Sequence, residues 1–375
     1  MKNLNINLFQ PTYLPEMESA AVNVLRNGNI ANGKSVSELE ASFSRLIGQE
    51  NFVAVNDLTS SLIISLYLAG VRAGDQVAIS AFNCLQSTSA IARLSAIPIW
   101  IDIEPLSMTM CIDDLKSKLN KDIKAVVLYH IAGYPSNSEQ IYSLCNSFQI
   151  PLIEDCNNAL GAMFNEKPVG VIGDYSVYSF YPTRQINGIE GGILSTPTLE
   201  EANYARRLRR FGIDSQSFRD NRGEINPESD ITEIGWSATL NNLHAAVACS
   251  QLSTLSIRQE RTKIIAKRLA DSFSSLTKLH PVQPIDKSIP AYWVFLILSS
   301  KRDELLVHLK KHGVNASCLH HRNDLYSGFG KSFSNLPGTE IAISKMLALP
   351  CGWWLTDMQI EKLLTIIDEF HKIKH

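Results

Sequence analysis

No apolar stretch in these 375 residues approaches the roughly 18–20 that a membrane span requires. Neither sign of charge dominates. The chain carries 35 Lys+Arg against 37 Asp+Glu, a formal net charge of -2, so nothing electrostatic favours nucleic acid or an anionic membrane as a partner. The seven cysteines (Cys84, Cys111, Cys145, Cys156, Cys249, Cys318 and Cys351) are scattered, odd in number and without a CxxC pair. That argues against a disulfide framework or a zinc site, so no metal is expected, and leads us to expect reduced thiols in a cytoplasm. Most of them read as small buried hydrophobes. The first residues, Met1 to Asn7, interleave polar and apolar side chains and lack the apolar centre of a signal peptide. Internal repeats and low-complexity segments are also absent.

What remains is an ordinary globular composition, 45% hydrophobic and 19% charged, in a chain long enough for a large core and two domains. From about residue 52 to 195, short apolar runs alternate with longer amphipathic stretches. The runs Gln76–Ile79, Ile97–Ile101, Ala125–Tyr129 and Pro151–Ile153 read as buried strands of a mostly parallel sheet. Ser60–Leu68 and Ser138–Phe148 read as helices between them. Turns are expected at Ala73-Gly74-Asp75, Gly133-Tyr134-Pro135 and Gly173-Asp174. This is an α/β layer architecture. Further on, a basic helical stretch holds Arg206, Arg207, Arg209 and Arg210, and Asp214–Asp230 reads as a polar, mobile loop. Helices are expected at Asn241–Leu255, Ile257–Leu276, Arg302–His312 and Asp357–Lys372, with a strand at Ala291–Leu298.

Five segments spread along the chain carry a resemblance. They are Gly33-Lys34-Ser35-Val36-Ser37-Glu38-Leu39-Glu40, Ile101-Asp102-Ile103, His130-Ile131-Ala132-Gly133-Tyr134-Pro135, Leu349-Pro350-Cys351-Gly352-Trp353-Trp354 and, above all, Ser179–Gly192. The last resembles the Schiff-base segment of the sugar aminotransferase family of the DegT/DnrJ/StrS type. In that family a Ser-Phe start leads to a lysine, and six residues later an acidic residue precedes Gly-Gly. Here Ser179-Phe180 and Glu190-Gly191-Gly192 keep the frame, and the lysine position is Arg184. A lysine can lose its proton and attack an aldehyde carbon; a guanidinium stays protonated and only donates.

The resemblance implies the fold of pyridoxal phosphate (PLP) transferases of the aspartate aminotransferase type. A large cofactor domain is expected over residues 1–250 and a smaller C-terminal α+β domain over 251–375. It also implies site residues. Asp155 stands where the family pairs an aspartate with the pyridine nitrogen, although an Asp there also suits a turn cap. Asn158 stands near the ring hydroxyl and Cys84 at the ring face. Thr59, Ser60 and Ser179 match phosphate contacts at a helix N-terminus. In the same cup Leu58 replaces a glycine, so a left-handed backbone there would be costly, and Asp57 adds a negative charge. Ser237 and Thr239 replace the family's cross-subunit asparagine and basic residue. Among spare histidines, His320 and His321 are favoured over His130 and His244. Lys167 falls in a surface hairpin.

Three readings follow. One is an enzyme on nucleotide-diphosphate keto-sugars that has left standard transamination, holding PLP or pyridoxamine phosphate (PMP) without a covalent bond, or using no cofactor. Another is a non-catalytic protein that binds sugar nucleotides. The third is an ordinary aminotransferase served by another lysine. Arg184 would pair with Asp155 or Glu190, or hold a substrate carboxylate or phosphate by a bidentate fork. A homodimer with shared active sites is what the resemblance implies.

Overall fold

The computed structural model describes residues 5–274, 276 and 278–374; residues 1–4, part of the amino-terminal reading, lie outside them. A central sheet is built from β1 (Phe52–Val55), β2 (Gln76–Ser80), β3 (Ile97–Ile101), β4 (Ile123–Tyr129) and β5 (Leu152–Asp155). After a short hairpin of β6 (Met163–Phe164) and β7 (Lys167–Pro168), β8 (Tyr175–Ser179) and β9 (Gly192–Ser195) complete it. The order is β1-β9-β8-β5-β4-β2-β3. Neighbours from β3 to β8 pair in parallel, while β9 runs antiparallel to both β8 and β1.

Strands β1, β5, β8 and β9 are buried along their whole length, because helices cover both faces. In chain order the helices are α1 (Pro15–Asn27), α2 (Lys34–Ile47), α3 (Leu58–Leu68), α4 (Leu85–Arg93), α5 (Ile112–Lys118), α6 (Ser138–Ser147), α7 (Leu199–Leu208) and α8 (Asn242–Cys249). Several begin on side-chain caps: Asp57 bonds Ser60 N–H, Asn137 bonds Gln140 N–H, Thr198 bonds Glu201 N–H and Asn241 bonds His244 N–H. Helix α3 is apolar almost all round, with Leu58, Leu62, Ile63, Ile64 and Leu66 buried, and it lies across β8 and β9.

The C-terminal part adds α9 (Leu255–Phe273), β10 (Leu279–Pro281), β11 (Ser288–Ile289), β12 (Phe295–Ser299), α10 (Arg302–Lys311), α11 (Pro337–Lys345), β13 (Met346–Leu349) and α12 (Asp357–Lys374). An antiparallel sheet β10-β12-β13 packs with these helices around Ile265, Leu269, Ile297, Leu309, Leu347 and Leu363. Ile6, from the start of the chain, joins that core. Strand β11 pairs with β6, which ties this part to the earlier hairpin.

The strand expected over Ala291–Leu298 begins only at Phe295. Its first half is diverted: the amides of Ala291 and Trp293 bond the carbonyls of Gly133 and Ala132, and Tyr292 takes a positive φ of 49°. The helix expected over Asn241–Leu255 stops at Cys249. The buried Gln251 then turns its side chain to Val247 and to the loop carbonyl of Asn187. The segment from Asp214 to Asp230 is a run of turns, organised where Asp220 accepts from the amides of Arg222 and Glu224.

The Ile101-Asp102-Ile103 motif acquires a structural reason. Asp102, at the end of β3, accepts from the Gly338 amide at 2.8 Å, the Thr339 amide at 2.7 Å and the Thr339 hydroxyl at 2.7 Å. It thereby caps α11 from a strand 236 residues earlier. Asp102→Ala leaves those buried donors unmatched and should lower the unfolding free energy by about 2–3 kcal/mol, read from urea denaturation. A loss under about 0.5 kcal/mol would show that the cap does not hold the two parts together.

Candidate active site

The carboxyl ends of β4, β5 and β8 bring Tyr129, Asp155 and Ser179 to one edge of the sheet, where parallel α/β sheets form their ligand crevices. Asp155 is fully buried there. Its Oδ2 accepts from the Ser87 hydroxyl at 2.5 Å, and its Oδ1 from the Asn157 amide at 3.1 Å and the Asn157 side chain at 2.8 Å. Burial pushes the carboxyl above its ordinary pKa, and these bonds from Ser87 and Asn157 oppose the shift. A second chain runs alongside. Asn158 Nδ2 donates to the Tyr129 hydroxyl at 2.8 Å, and that hydroxyl meets His320 Nε2 at 3.2 Å. Burial pushes the Tyr129 phenol up. His320 is driven down to about 4 by burial and by the charge of Arg184. A neutral imidazole accepting at Nε2 from a neutral phenol is the pattern these shifts require.

Arg184 is only 6% exposed. Its Nη1 donates to Thr183 Oγ1 at 3.0 Å, and the guanidinium lies 4.7 Å from the Trp293 ring and 5.8 Å from the Tyr181 ring. Trp293 is itself fixed, its indole N–H on the Thr183 carbonyl at 2.8 Å and its ring stacked on Phe9. Burial lowers the Arg184 pKa, against the pull of Cys84, Tyr129, Asp155 and Tyr181. Nε is buried without a hydrogen-bond partner. The expected ion pair with Asp155 or Glu190 does not form: among the described residues Arg184 has no carboxylate within salt-bridge distance. Asp155 is already engaged by Ser87 and Asn157, and Glu190 lies on the exposed side of the loop.

The loop that carries Arg184 is held at many points. The Phe180 amide bonds the Gly191 carbonyl, and the Gly188 amide bonds the Phe180 carbonyl. The Arg258 guanidinium donates to the Gln185 carbonyl at 2.5 Å, and the Asn187 amide donates to Gln251 at 3.0 Å. Gly192 packs directly on the start of α3: a Cβ there would lie 2.5 Å from the Asp57 carbonyl oxygen. Retention of Gly191-Gly192 is thus a packing requirement as much as a chemical one.

The remaining expected residues divide. Cys84 sits at the start of α4, its thiol toward Gln86, with its pKa raised by burial and by Asp155 against Arg184; it is a neutral packing surface. Ser179 Oγ accepts from the Tyr181 amide at 3.2 Å. Thr59 and Ser60 lie in the first turn of α3, where Asp57 Oδ1 takes the Ser60 N–H at 2.7 Å. Leu58 needs no left-handed backbone, since it simply opens the helix. The concern it raised is removed, and Asp57 is the real obstacle. His320 joins the site, whereas His321 turns away to the Arg322 carbonyl and the Tyr326 ring. His130 is a buried structural group between Glu154 and the Ser136 amide. Lys167 pairs with Glu139 on the outer hairpin at 3.6 Å. Ser237 is exposed, its carbonyl facing Asn56 at 3.4 Å.

Ser87, Asn157, Tyr129 and Trp293 were not singled out beforehand. Tyr129 and Trp293 lie in the apolar runs Ala125–Tyr129 and Ala291–Leu298, and Asn157 stands between Asp155 and Asn158. Ser87 lies one turn beyond Cys84, and Trp293 is brought in from 109 residues beyond Arg184 through its bond to Thr183.

These residues do not fit a lysine-tethered PLP. The position that the resemblance gives to the tether holds a guanidinium, and no lysine is among the groups acting most strongly on Asp155, Tyr129 or Arg184. At the phosphate end, an internal carboxylate already caps α3, and the charge of Asp57 also acts on Glu190. The hydroxyls of Thr59, Ser60 and Ser179 and the carboxylate of Asp155 remain.

The model for the DegT/DnrJ/EryC1/StrS aminotransferase family matches residues 13–368. The chain belongs to this family. Among solved structures it is similar to the aminotransferase TlmJ from Streptoalloteichus hindustanus, at 27% identity and a TM-score of 0.89, covering 96% of this chain and 97% of that one. It is similar to AtS13 from Actinomadura melliaura, at 25% identity and a TM-score of 0.93, covering 98% and 100%. The fold is also shared with the sugar aminotransferase CalS13 from Micromonospora echinospora, at 24% identity and a TM-score of 0.91, covering 96% and 99%. The architecture is therefore that of the PLP-dependent aminotransferases, with a mainly parallel central sheet.

His320 offers a direct test of the charge at position 184. Its folded pKa of about 4 lies below the ordinary 6.5. Above pH 6.5 both folded and unfolded states are neutral. Between 6.5 and about 4 only the unfolded chain takes the proton, so His320 makes stability fall with acidification across that window. Arg184→Gln should move the His320 resonance midpoint upward in an NMR titration and flatten that loss. An unchanged midpoint would show that the guanidinium does not act on the ring.

Proposed function

We propose that this chain is a sugar-modifying enzyme of the aminotransferase family that acts on a nucleotide-diphosphate keto-sugar without a lysine-tethered cofactor. Family membership and the sugar aminotransferase among its structural neighbours support the substrate class. The single observation that carries the rest is Arg184. It is a buried guanidinium with an unengaged Nε and no contacting carboxylate, at the position where relatives of this type place the lysine. Such a charge is costly to bury unless an anion meets it. A planar fork suits a carboxylate or phosphate oxygen of the substrate. The neutral chain Asn158–Tyr129–His320 beside it supplies donors and one imidazole nitrogen for holding a proton. PLP or PMP, if used, would be held non-covalently by Asp155 with Asn158 near the ring and by the hydroxyls of Thr59, Ser60 and Ser179.

The basic cluster has a place in this reading. Arg206, Arg207, Arg209 and Arg210 line one cavity of about 330 Å³ together with Thr239. Glu40 occupies Arg206 at 3.1 Å and Arg209 at 2.7 Å. Arg207 and Arg210 are left for a diphosphate. We take the protein to be a cytoplasmic homodimer that builds its sites from both copies, each with a large unit over 1–250 and a smaller one over 251–375. Among the described residues no helix is long and apolar enough to cross a membrane.

The experiment adds PLP or PMP to purified protein and then reduces with borohydride. Wild type should give no trapped adduct, and Arg184→Lys should trap PLP if the hydroxyl cup accepts its phosphate. An adduct in wild type would mean that another lysine serves and would overturn the proposal. Arg184→Gln should weaken binding of a nucleotide keto-sugar by about tenfold or more, the usual worth of a charge-assisted bond. Sugar nucleotide that binds and is returned unchanged under every cofactor condition would identify a non-catalytic binding protein instead.

A further inference from the structure

Far from the sheet edge, α10 and α12 carry three side chains that no step above uses. His308 lies in the last turn of α10 and His312 is the residue that caps its C-terminus, four positions on and so on the same side of the helix end; Glu369 reaches them from α12. One ligating atom of each lies within 4.8 Å of the other two. The two imidazole rings are 4.4 Å apart, and the His308 ring also contacts Phe370 at 5.3 Å. Both histidines are half-buried and Glu369 is exposed.

The hydrogen-bonding state of each ring points the same way. His312 Nδ1 lies 2.8 Å from the His308 carbonyl, which cannot donate. That nitrogen must carry the proton, so the lone pair sits on Nε2. A backbone carbonyl fixing one ring nitrogen is the usual support for an imidazole that ligates through the other. On His308, Nε2 is buried and has no hydrogen-bond partner, an arrangement unfavourable in either tautomer unless a further group meets that nitrogen.

We propose that His308, His312 and Glu369 form a site for a divalent transition metal of the Zn2+ class that clamps α12 to α10. Two imidazoles and a carboxylate are a borderline donor set that favours Zn2+ or its first-row neighbours over Mg2+ or Ca2+. Bonds of about 2.0–2.2 Å draw the three atoms inward, and the exposed Glu369 side chain has the freedom to close that distance. Three protein ligands leave a fourth position for water. Because the ligands come from two helices of the second core, occupancy favours the folded state over the unfolded one. The site is independent of the Arg184 pocket.

The test uses the full chain, stripped with chelator and titrated with Zn2+ by calorimetry, beside the single variants His312→Ala and Glu369→Gln and their double variant. Wild type should bind one equivalent more tightly than the double variant does. Each single change should weaken that equivalent by at least about tenfold. Zn2+ should raise the wild-type Tm but not that of the double variant, and Co2+ should give a visible absorption spectrum of imidazole-ligated metal that the double variant lacks. Both substitutions lie at partly or fully exposed positions, and circular dichroism at zero metal checks that the variants fold. Equal Zn2+ stoichiometry, affinity and Tm response in wild type and double variant would overturn the proposal.

Discussion

A positive charge buried where no carboxylate touches it sets the terms for the rest of this pocket. Arg184 cannot shed its proton, and burial makes that charge expensive. Burial keeps Tyr129 and Cys84 protonated against the pull of that charge, whereas the charge adds to burial in keeping His320 unprotonated; the buried carboxylate beside it, Asp155, is raised by burial while Ser87 and Asn157 occupy it. The aromatic faces of Trp293 and Tyr181 offer partial compensation. What the arrangement lacks is an anion, and a ligand is the natural source of one.

The scaffold around that charge is not loosened. The loop from Phe180 to Gly191 is closed on itself by backbone bonds and fastened from α9 and from Gln251. Of the glycine pair that ends it, Gly192 lies against the start of α3 with no room for a methyl group, and Gly191 packs on Phe180 and Leu240. That fastening holds Arg184 in one position, as the proposed ligand-binding role requires.

The two ends of the cofactor region differ in kind. At the end proposed for the ring, a buried carboxylate, Asp155, and an amide, Asn158, stand where the resemblance implies cofactor contacts. At the phosphate end α3 already has an anionic cap in Asp57, so the helix terminus that would receive a phosphate is partly satisfied from within. The change at position 184 is therefore matched by a change some distance along the chain, at the other end of the same site.

The order of strands and helices was readable because burial on both faces of a parallel sheet imposes apolar runs that recur with regular spacing. The expectation that Arg184 stands at the family's lysine position came from one short segment, in which Ser179-Phe180 and Glu190-Gly191-Gly192 frame it. Other features depended on distant parts of the chain meeting. The diversion of Ala291–Val294 from strand to loop follows from carbonyls near residue 132, which no local pattern displays. The separation of His320 from His321 follows from which ring Tyr129 and Phe82 can reach. That Arg184 has no ion-pair partner, that Asp57 caps the helix, and that Glu369 faces two histidines of another helix are all matters of three-dimensional neighbourhood. A residue's chemistry is written in its side chain, but its charge partners and its exposure to water are set only when the fold has chosen its neighbours.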